Sequence, residues 1–289
     1  MGCPTLEKNL AYRTILVHLE NEERAPGILA TATKLARKYD AHLIGLFVIP
    51  GIDVAPSFGF YIPGEILEVY RNACLKVGQE LEQAFNKAIE AEGVNSSEFR
   101  TVEAAGQADA LPVIEHGRMA DLIIIGQSDD EKDGSSAREL RERVLLEAGR
   151  PILFIPYIGT YDKIGEQVLV AWNARREAAR GAFDALPLLK DAKNVRVHWV
   201  NASDEDEQNN LPGAELAATL SRHGVNVQAE GTVARGISVT DELLGRAADF
   251  GCDLLVMGGY GHSRTRELVF GGATREILNH MTLPVLMSH

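Results

Sequence analysis

The chain repeats itself once, and this repeat limits its fold more than any other feature. Strand-like runs open the two halves at Thr14–Leu19 and Gln167–Trp172. Each half closes on a strand that begins with proline, at Pro151–Ile155 and Pro284–Met287. One pattern of elements carried twice predicts two similar domains in tandem.

The segments between these strands alternate between helical spacing and aliphatic runs. The runs Ala120–Gly126 and Cys252–Gly258 have nearly the same pattern in the two halves. Unbroken aliphatic strands are typical of a parallel sheet that helices cover on both faces. The sequence therefore predicts an α/β protein with two tandem, doubly wound, Rossmann-like domains, residues 1–158 and 159–289, each with a five-stranded parallel sheet.

The composition argues against several classes of partner. The formal net charge of −12 repels phosphodiester backbones and anionic lipids, so we expect neither nucleic acid nor membrane as a partner. The three cysteines are scattered, and Met1–Leu10 has no apolar core, which favours a cytoplasmic location. No apolar run approaches the roughly 20 residues that span a bilayer.

The halves differ in the middle, where the first half carries extra residues around Pro50–Tyr70. This stretch holds Phe58, Phe60 and Tyr61 among prolines and glycines. Two interpretations stay open: a loop that packs over its own domain, or a lid or dimer contact. At the corresponding place in the second half, the acidic run Ser203–Asn210 predicts a solvated loop.

A glycine pattern follows the fourth strand of the second half. Gly258, Gly261 and Gly271 have the spacing G-x2-G-x9-G, and helical spacing resumes after them. In open α/β sheets, ligands bind beyond the carboxyl ends of the strands. Glycines let the backbone approach an anion, and the N–H groups of Gly272–Thr274 would point at it from a helix N-terminus. The pattern predicts a phosphate cradle, with tight turns that bind nothing as the alternative.

The stretches Met257–Ser263, Phe270–Thr274 and Leu283–Leu286 resemble the signature of the universal stress protein family. The resemblance extends over nearly the whole chain, once per half. It implies an adenine-nucleotide alpha hydrolase-like fold and a stress-response role. It also implies a regulator without catalytic residues that binds ATP, or AMP or ADP, with Mg²⁺ as an accompanying ion and without a metal site of its own.

In the ATP-binding branch of that family, the glycines wrap the phosphates and ribose, while the ends of the first two strands hold the nucleoside. Two positions of this chain depart from the pattern: Gly272 stands where the family has Ser or Thr, and Asn173 where it has Asp. The nucleotide-binding residues that the resemblance implies are Ala171, Asn173, Trp199, Met257, Gly258, Gly261, Gly271, Gly272, Ala273 and Thr274.

The first half departs further from the pattern. Gly126 matches the first glycine, but Ser128 or Asp129 stands at the second, and Arg138–Leu140 replaces the third. A cluster of acidic residues, Asp129 to Asp133, would repel phosphates. We therefore expect a degenerate site in this half, with Glu20 as a surface carboxylate.

Two other functions stay open at this point. The chain could be an interaction scaffold that binds a partner through the aromatic stretch Phe58–Tyr61, or it could hold another small molecule in the cleft of its first half. We also expect the halves to form an intramolecular pseudo-dimer through the proline-led strands, because unpaired edges seek partners. Whether two chains then form a homodimer is left open.

Overall fold

The computed structural model describes residues 11–51, 63–104, 109–129, 132–200, 213–234, 236–260 and 272–289. The strands of the first half are β1 (Thr14–His18), β2 (His42–Ile49), β3 (Ser97–Glu103), β4 (Leu122–Gly126) and β5 (Ile152–Ile155). Those of the second half are β6 (Gln167–Ala171), β7 (Asn194–Val200), β8 (Val227–Thr232), β9 (Leu254–Gly258) and β10 (Val285–Ser288).

Helices separate the strands along the chain. In the first half they are α1 (Ala25–Tyr39), α2 (Gly64–Glu92), α3 (Ala110–Gly117) and α4 (Gly134–Glu147). In the second half they are α5 (Arg176–Asp184), α6 (Leu186–Asp191), α7 (Ala214–Arg222), α8 (Val239–Asp249) and α9 (Gly272–His280). This alternation confirms the predicted α/β class.

The strands form one ten-stranded sheet in the order β3-β2-β1-β4-β5-β10-β9-β6-β7-β8. Each half keeps the order of a doubly wound fold, so the direction of winding reverses between β1 and β4 and again between β6 and β9. In open α/β sheets ligands bind beyond the carboxyl ends of the strands at such places, which positions the candidate sites.

The two halves join through the antiparallel pair β5 and β10. Val285 lies opposite Phe154, Leu286 opposite Leu153, and Met287 opposite Ile152. Each half contributes five strands, and the two proline-led strands, through which the halves were expected to meet, are hydrogen-bonded to each other within one sheet. The physical reason is that an aliphatic edge strand leaves backbone groups unpaired until another strand covers it.

Side chains alternate along β1 between two hydrophobic cores, one on each face of the sheet. Ile15 and Val17 pack on one face with α1, and Leu16 packs on the other. Both cores draw residues from both halves of the chain. On the first face, for example, the hydroxyl of Tyr12 donates to the carbonyl oxygen of Asp184 at 2.8 Å. The layers therefore continue across the join.

A repeated aspartate anchors the start of the first strand in each half. Oδ2 of Asp121 accepts hydrogen bonds from the backbone N–H groups of Arg13 and Thr14. Asp253 does the same for Gly165 and Gln167, through Oδ1, at 2.9 and 3.1 Å. The Asp-Leu pair that marks the repeat in the sequence is thus a structural feature, not a ligand site.

Some of the predicted features lie outside the described residues, namely Phe58, Phe60, Tyr61 and the acidic run Ser203–Asn210. Tyr70 is described; it stands on α2, and its hydroxyl donates to the carbonyl oxygen of Pro50 at 3.2 Å. Among the helices of the described ranges, none combines the length and apolar character needed to cross a membrane.

The shared cores predict that the chain unfolds as one cooperative unit. Phe85 on α2 is fully buried, and its ring centroid lies 5.5 Å from that of Phe99. Both tryptophans, Trp172 and Trp199, lie in the second half, so their fluorescence reports on that half. We expect Phe85→Ala to cost about 3–5 kcal/mol and to shift the midpoints of tryptophan fluorescence and circular dichroism together in urea. Exposed Met119→Ala is the control; a fluorescence midpoint unmoved by Phe85→Ala would contradict the prediction.

Candidate functional site

A cavity of about 180 Å³ opens at the carboxyl ends of β6, β7 and β9, where the winding of the second half reverses. Strand ends, the turn into α5, helix α8 and the start of α9 form its walls. The lining residues are Ala171, Trp172, Asn173, Arg175, Ala178, His198, Val200, Val239, Leu243, Met257, Gly258, Gly272, Ala273 and Thr274.

Two glycines let α5 lie close against the end of β9. A Cβ at Gly181 would come within 2.7 Å of the carbonyl oxygen of Met257. A Cβ at Gly258 would collide with the backbone of Glu177 and Ala178. Packing of α5 against β9 therefore accounts for Gly258 even before any ligand is considered.

The turn from β6 into α5 brings polar groups to the mouth of the cavity. Oδ1 of Asn173 accepts a hydrogen bond from the backbone N–H of Arg175 at 3.1 Å. Ala174 between them has a φ of 57°, in the left-handed region that costs a non-glycine residue about 1–2 kcal/mol. The asparagine side chain and this conformation together fix the course of the turn.

The start of α9 forms the opposite side of the mouth. Among the described residues, a Cβ at Gly272 would contact nothing within 4 Å, so they impose no steric need for glycine there. Thr274 is buried, and its Oγ1 accepts the backbone N–H of Tyr260 at 3.0 Å. This hydrogen bond joins α9 to the loop after β9.

His198 lies on the inner wall of the cavity and was not predicted. Its ring is buried, with Nδ1 3.2 Å from Oε1 of Glu230 and Nε2 3.0 Å from Oγ1 of Thr232. Burial lowers the pKa of His198 below its ordinary value, although Glu230 opposes the shift. His198 therefore adds no charge to the cavity wall at physiological pH.

Trp199, expected beside the adenine, does not line the cavity. Side chains alternate along β7, so Val195 and Val197 pack into the core on one face, while Val200 packs into the core on the other. Trp199 shares the face of Val197, and the cavity opens on the face of Val200. Counting this alternation from Val195 would have identified His198 and Val200.

The remaining predicted residues divide into two groups. Ala171, Asn173, Met257, Gly258, Gly272, Ala273 and Thr274 come together around the cavity. Gly261 and Gly271 lie outside the described residues. Sequence reasoning also missed Val239 and Leu243 on α8, which lie one helical turn apart and give no signal beyond ordinary core spacing.

An ion pair occupies the corresponding place in the first half. Arg141 on α4 is buried, and its guanidinium forms two contacts with the Glu20 carboxylate, one of them Nη1 to Oε1 at 3.2 Å. Its Nε also donates to the carbonyl oxygen of Gly126 at 2.8 Å. Glu20 was expected to be a surface carboxylate; instead it balances a buried cation at the strand ends.

A second ion pair fixes the loop after β4. Nη1 of Arg24 lies 2.5 Å from Oδ2 of Asp133 and donates to the carbonyl oxygen of Gln127 at 3.1 Å. Asp133 was predicted to repel phosphates as part of an acidic cluster. Asp133 is instead paired with Arg24, so the strand ends of the first half carry charges that balance one another: Arg24 with Asp133, and Arg141 with Glu20.

These features define a class of doubly wound α/β proteins in which two copies of one fold share a sheet. Residues 166–289 match the family model described as "Universal stress protein family". The second half is therefore a universal stress protein domain, which confirms the family recognised from the sequence. No curated protein sequence matches the chain significantly.

Solved structures resemble the chain along almost its full length. A universal stress protein from Archaeoglobus fulgidus DSM 4304 is 17% identical with a TM-score of 0.74, over 97% of this chain and 98% of that one. A protein of Pseudomonas aeruginosa UCBPP-PA14, provisionally described as a universal stress protein, is 16% identical with a TM-score of 0.60, over 96% and 94%. At these identities the likeness concerns the fold, and it includes the first half.

The Glu20–Arg141 pair generates a prediction about stability and pH. Burial is the largest influence on Glu20 and opposes its ionisation, but the charge and hydrogen bond of Arg141, together with His18, hold the pKa of the carboxyl below its ordinary value. The stability that the ion pair contributes to the fold is then complete above about pH 4.3, the pKa of a glutamate in the unfolded chain. It is lost as the pH falls through the lower pKa of Glu20 in the folded chain. We expect Glu20→Gln to cost about 3 kcal/mol at pH 7, and less at acid pH, in urea unfolding.

The exposed pair between Arg180 and Asp184 supplies the control for this measurement. Arg180→Ala should change the free energy of unfolding by no more than about 0.5 kcal/mol. A Glu20→Gln variant as stable as the wild type at pH 7 would show that the buried pair does not stabilise the fold.

Proposed function

We propose that the chain is a stress-response protein that binds one adenine nucleotide, ATP or AMP or ADP, in the cavity of its second half. The observation that carries the proposal is the contrast between the halves. The second half has a cavity at its topological switch point, whereas the ion pair between Arg141 and Glu20 lies at that place in the first half. This location is where open α/β sheets bind ligands.

The cavity has an apolar end and a polar end. Val200, Val239, Leu243 and Met257 suit the flat face of a base, and Gly258, Asn173 and the start of α9 suit ribose and phosphates. The volume is below the roughly 300 Å³ at the low end of small-molecule sites, so it would enclose the base while the phosphates extend toward Gly272.

Local charge favours an anion despite the net charge of −12. Arg175 lines the mouth, and the positive end of the α9 dipole opens onto the cavity at Gly272. Among the described residues that line the cavity there is no carboxylate. Phosphates would therefore meet donors here, and Mg²⁺, which prefers oxygen ligands, would be held mainly through those phosphates.

We assign the two halves to residues 1–158 and 159–289 and interpret the β5–β10 join as an intramolecular pseudo-dimer. Binding would shift the conformation of this unit or its choice of partner in the cytoplasm. We assign it no nucleic-acid or membrane partner.

Gly272→Asp tests the position of the phosphates. The Cβ of the new residue would meet no described atom within 4 Å. Its carboxylate would stabilise the helix N-terminus, yet it would repel a phosphate there. In calorimetric titration with ATP and Mg²⁺ we expect one site per wild-type chain. Gly272→Asp should bind at least tenfold more weakly, a loss of about 1.4 kcal/mol. Its melting temperature should be unchanged or higher.

Gly272→Asn is the matched control, because it has the same shape without the charge. It should bind ATP within about threefold of the wild type, and titration with AMP would show how much affinity the outer phosphates contribute. A wild type that releases no heat and gains no thermal stability at millimolar ATP would overturn the proposal and favour a nucleotide-independent scaffold.

We further propose that the chain is a binding protein, not an enzyme. The cavity wall offers a neutral histidine already engaged on both ring nitrogens and no carboxylate among the described lining residues to act as a base. ATP hydrolysis should therefore stay below about 1 s⁻¹, the low end of ordinary enzymes. A phosphate-release assay measures this, and faster turnover that Gly272→Asp abolishes would contradict it.

A further inference from the structure

The loop that follows β9 in the second half packs against the first half of the chain. A Cβ at Gly259 would lie 2.7 Å from Cδ2 of Leu145, a buried residue of α4. The backbone of Gly259 lies outside the left-handed region, so φ does not require glycine there. The side chain of Leu145, which belongs to the first half, occupies the space beside Gly259.

The next residue of the loop, Tyr260, is held from both halves. Its φ of 52° places it in the left-handed region, where a tyrosine is strained and must be held by its surroundings. Its N–H donates to Oγ1 of Thr274 on α9. Its ring is buried with the hydroxyl beside the Glu142 carboxyl of α4; burial and this charge both raise the pKa of Tyr260.

The far end of α9 also contacts the first half. Gln127 directly follows the end of β4 and is buried, and its Nε2 donates to the carbonyl oxygens of Leu278 at 2.9 Å and Asn279 at 3.0 Å. These carbonyls lie in the last turn of the helix whose first turn faces the cavity. A shift of Gln127 would therefore move α9 as a whole.

We infer that Gln127, Glu142 and Leu145 are positioning residues for the site of the second half. The first half thus sets the course of Gly259 and Tyr260 and the position of α9. This inference rests on the proposed function in one respect: the ligand whose affinity these residues control is the adenine nucleotide of the second half.

A double-variant cycle across the two halves tests the inference in the full chain. Gly259→Ala should push against Leu145, displace the loop and weaken ATP binding about tenfold, while Leu145→Ala alone should weaken it by less. The Gly259→Ala/Leu145→Ala pair should recover to within about threefold of Leu145→Ala, because the added methyl then occupies the space vacated. Gly245→Ala, on α8 with open space around it, is the control and should bind as the wild type does.

Hydrogen exchange of the segment Met257–Tyr260 in nucleotide-free protein supplies a second measurement. We expect faster exchange in Gly259→Ala and Glu142→Ala. The Gly259→Ala/Leu145→Ala double variant should return the exchange rate to the wild-type value. Glu142→Gln should also exchange at the wild-type rate, because its amide oxygen still accepts a hydrogen bond. Thermal unfolding of each variant identifies any global loss of structure, which would accelerate exchange in β1 and β6 as well.

The outcomes separate the two proposals. Unchanged exchange and affinity in Glu142→Ala and Leu145→Ala, or a Gly259→Ala defect that Leu145→Ala does not relieve, would overturn the inference while leaving nucleotide binding intact. A wild type that binds no nucleotide would defeat the proposed function. The exchange cycle would then decide by itself whether the first half positions the loop.

Discussion

The antiparallel pairing of β5 with β10 is the interaction on which the rest of the structure depends. It covers the one aliphatic edge that each half would otherwise expose, and it turns two sets of five strands into one sheet. The layers on both faces then run across the join, and contacts such as Gln127 with the end of α9 become unavoidable. The relation between the halves is therefore a packed interior, not a hinge between modules.

Glycine serves two different purposes at the cavity. At Gly258 and Gly181, α5 and β9 approach so closely that a side chain would meet backbone atoms, so the fold itself requires glycine. At Gly272 no atom of the described segments lies within 4 Å of where a Cβ would stand, and the residue lines the cavity at the start of α9. Glycine is thus needed for packing at Gly258 and leaves room for a ligand at Gly272. The spacing of the glycines in the sequence cannot distinguish these two purposes.

Much of the fold could be predicted because the repeat exposes it. Matching runs in both halves and the aliphatic strands fix the α/β class, and the proline-led strands pointed to where the halves meet. The site was harder to predict. The resemblance gave a position along β7, near Trp199, but the two-residue alternation decides which side chains face the cavity, and these are His198 and Val200.

The first half shows a different limit of sequence reasoning. Glu20 and Arg141 are far apart in the chain, and neither residue alone signals a buried ion pair; only the topology brings them to the same strand ends. The same holds for Leu145 against Gly259, where the contact is set by how α4 crosses the join. Long-range packing of this kind leaves no periodic pattern in the sequence.

The buried guanidinium of Arg141 has a consequence for how the chain would respond to a ligand. A molecule with two equivalent crevices can couple two binding events and respond over a narrow range of concentration. Here the Arg141–Glu20 ion pair lies at the strand ends of one half, so under the proposed function a single chain would bind one nucleotide and saturate along a simple hyperbola. Under that proposal the duplicated fold would work as a graded reporter, in which one copy follows the ligand concentration and the other supplies the packed reference against which the first can move.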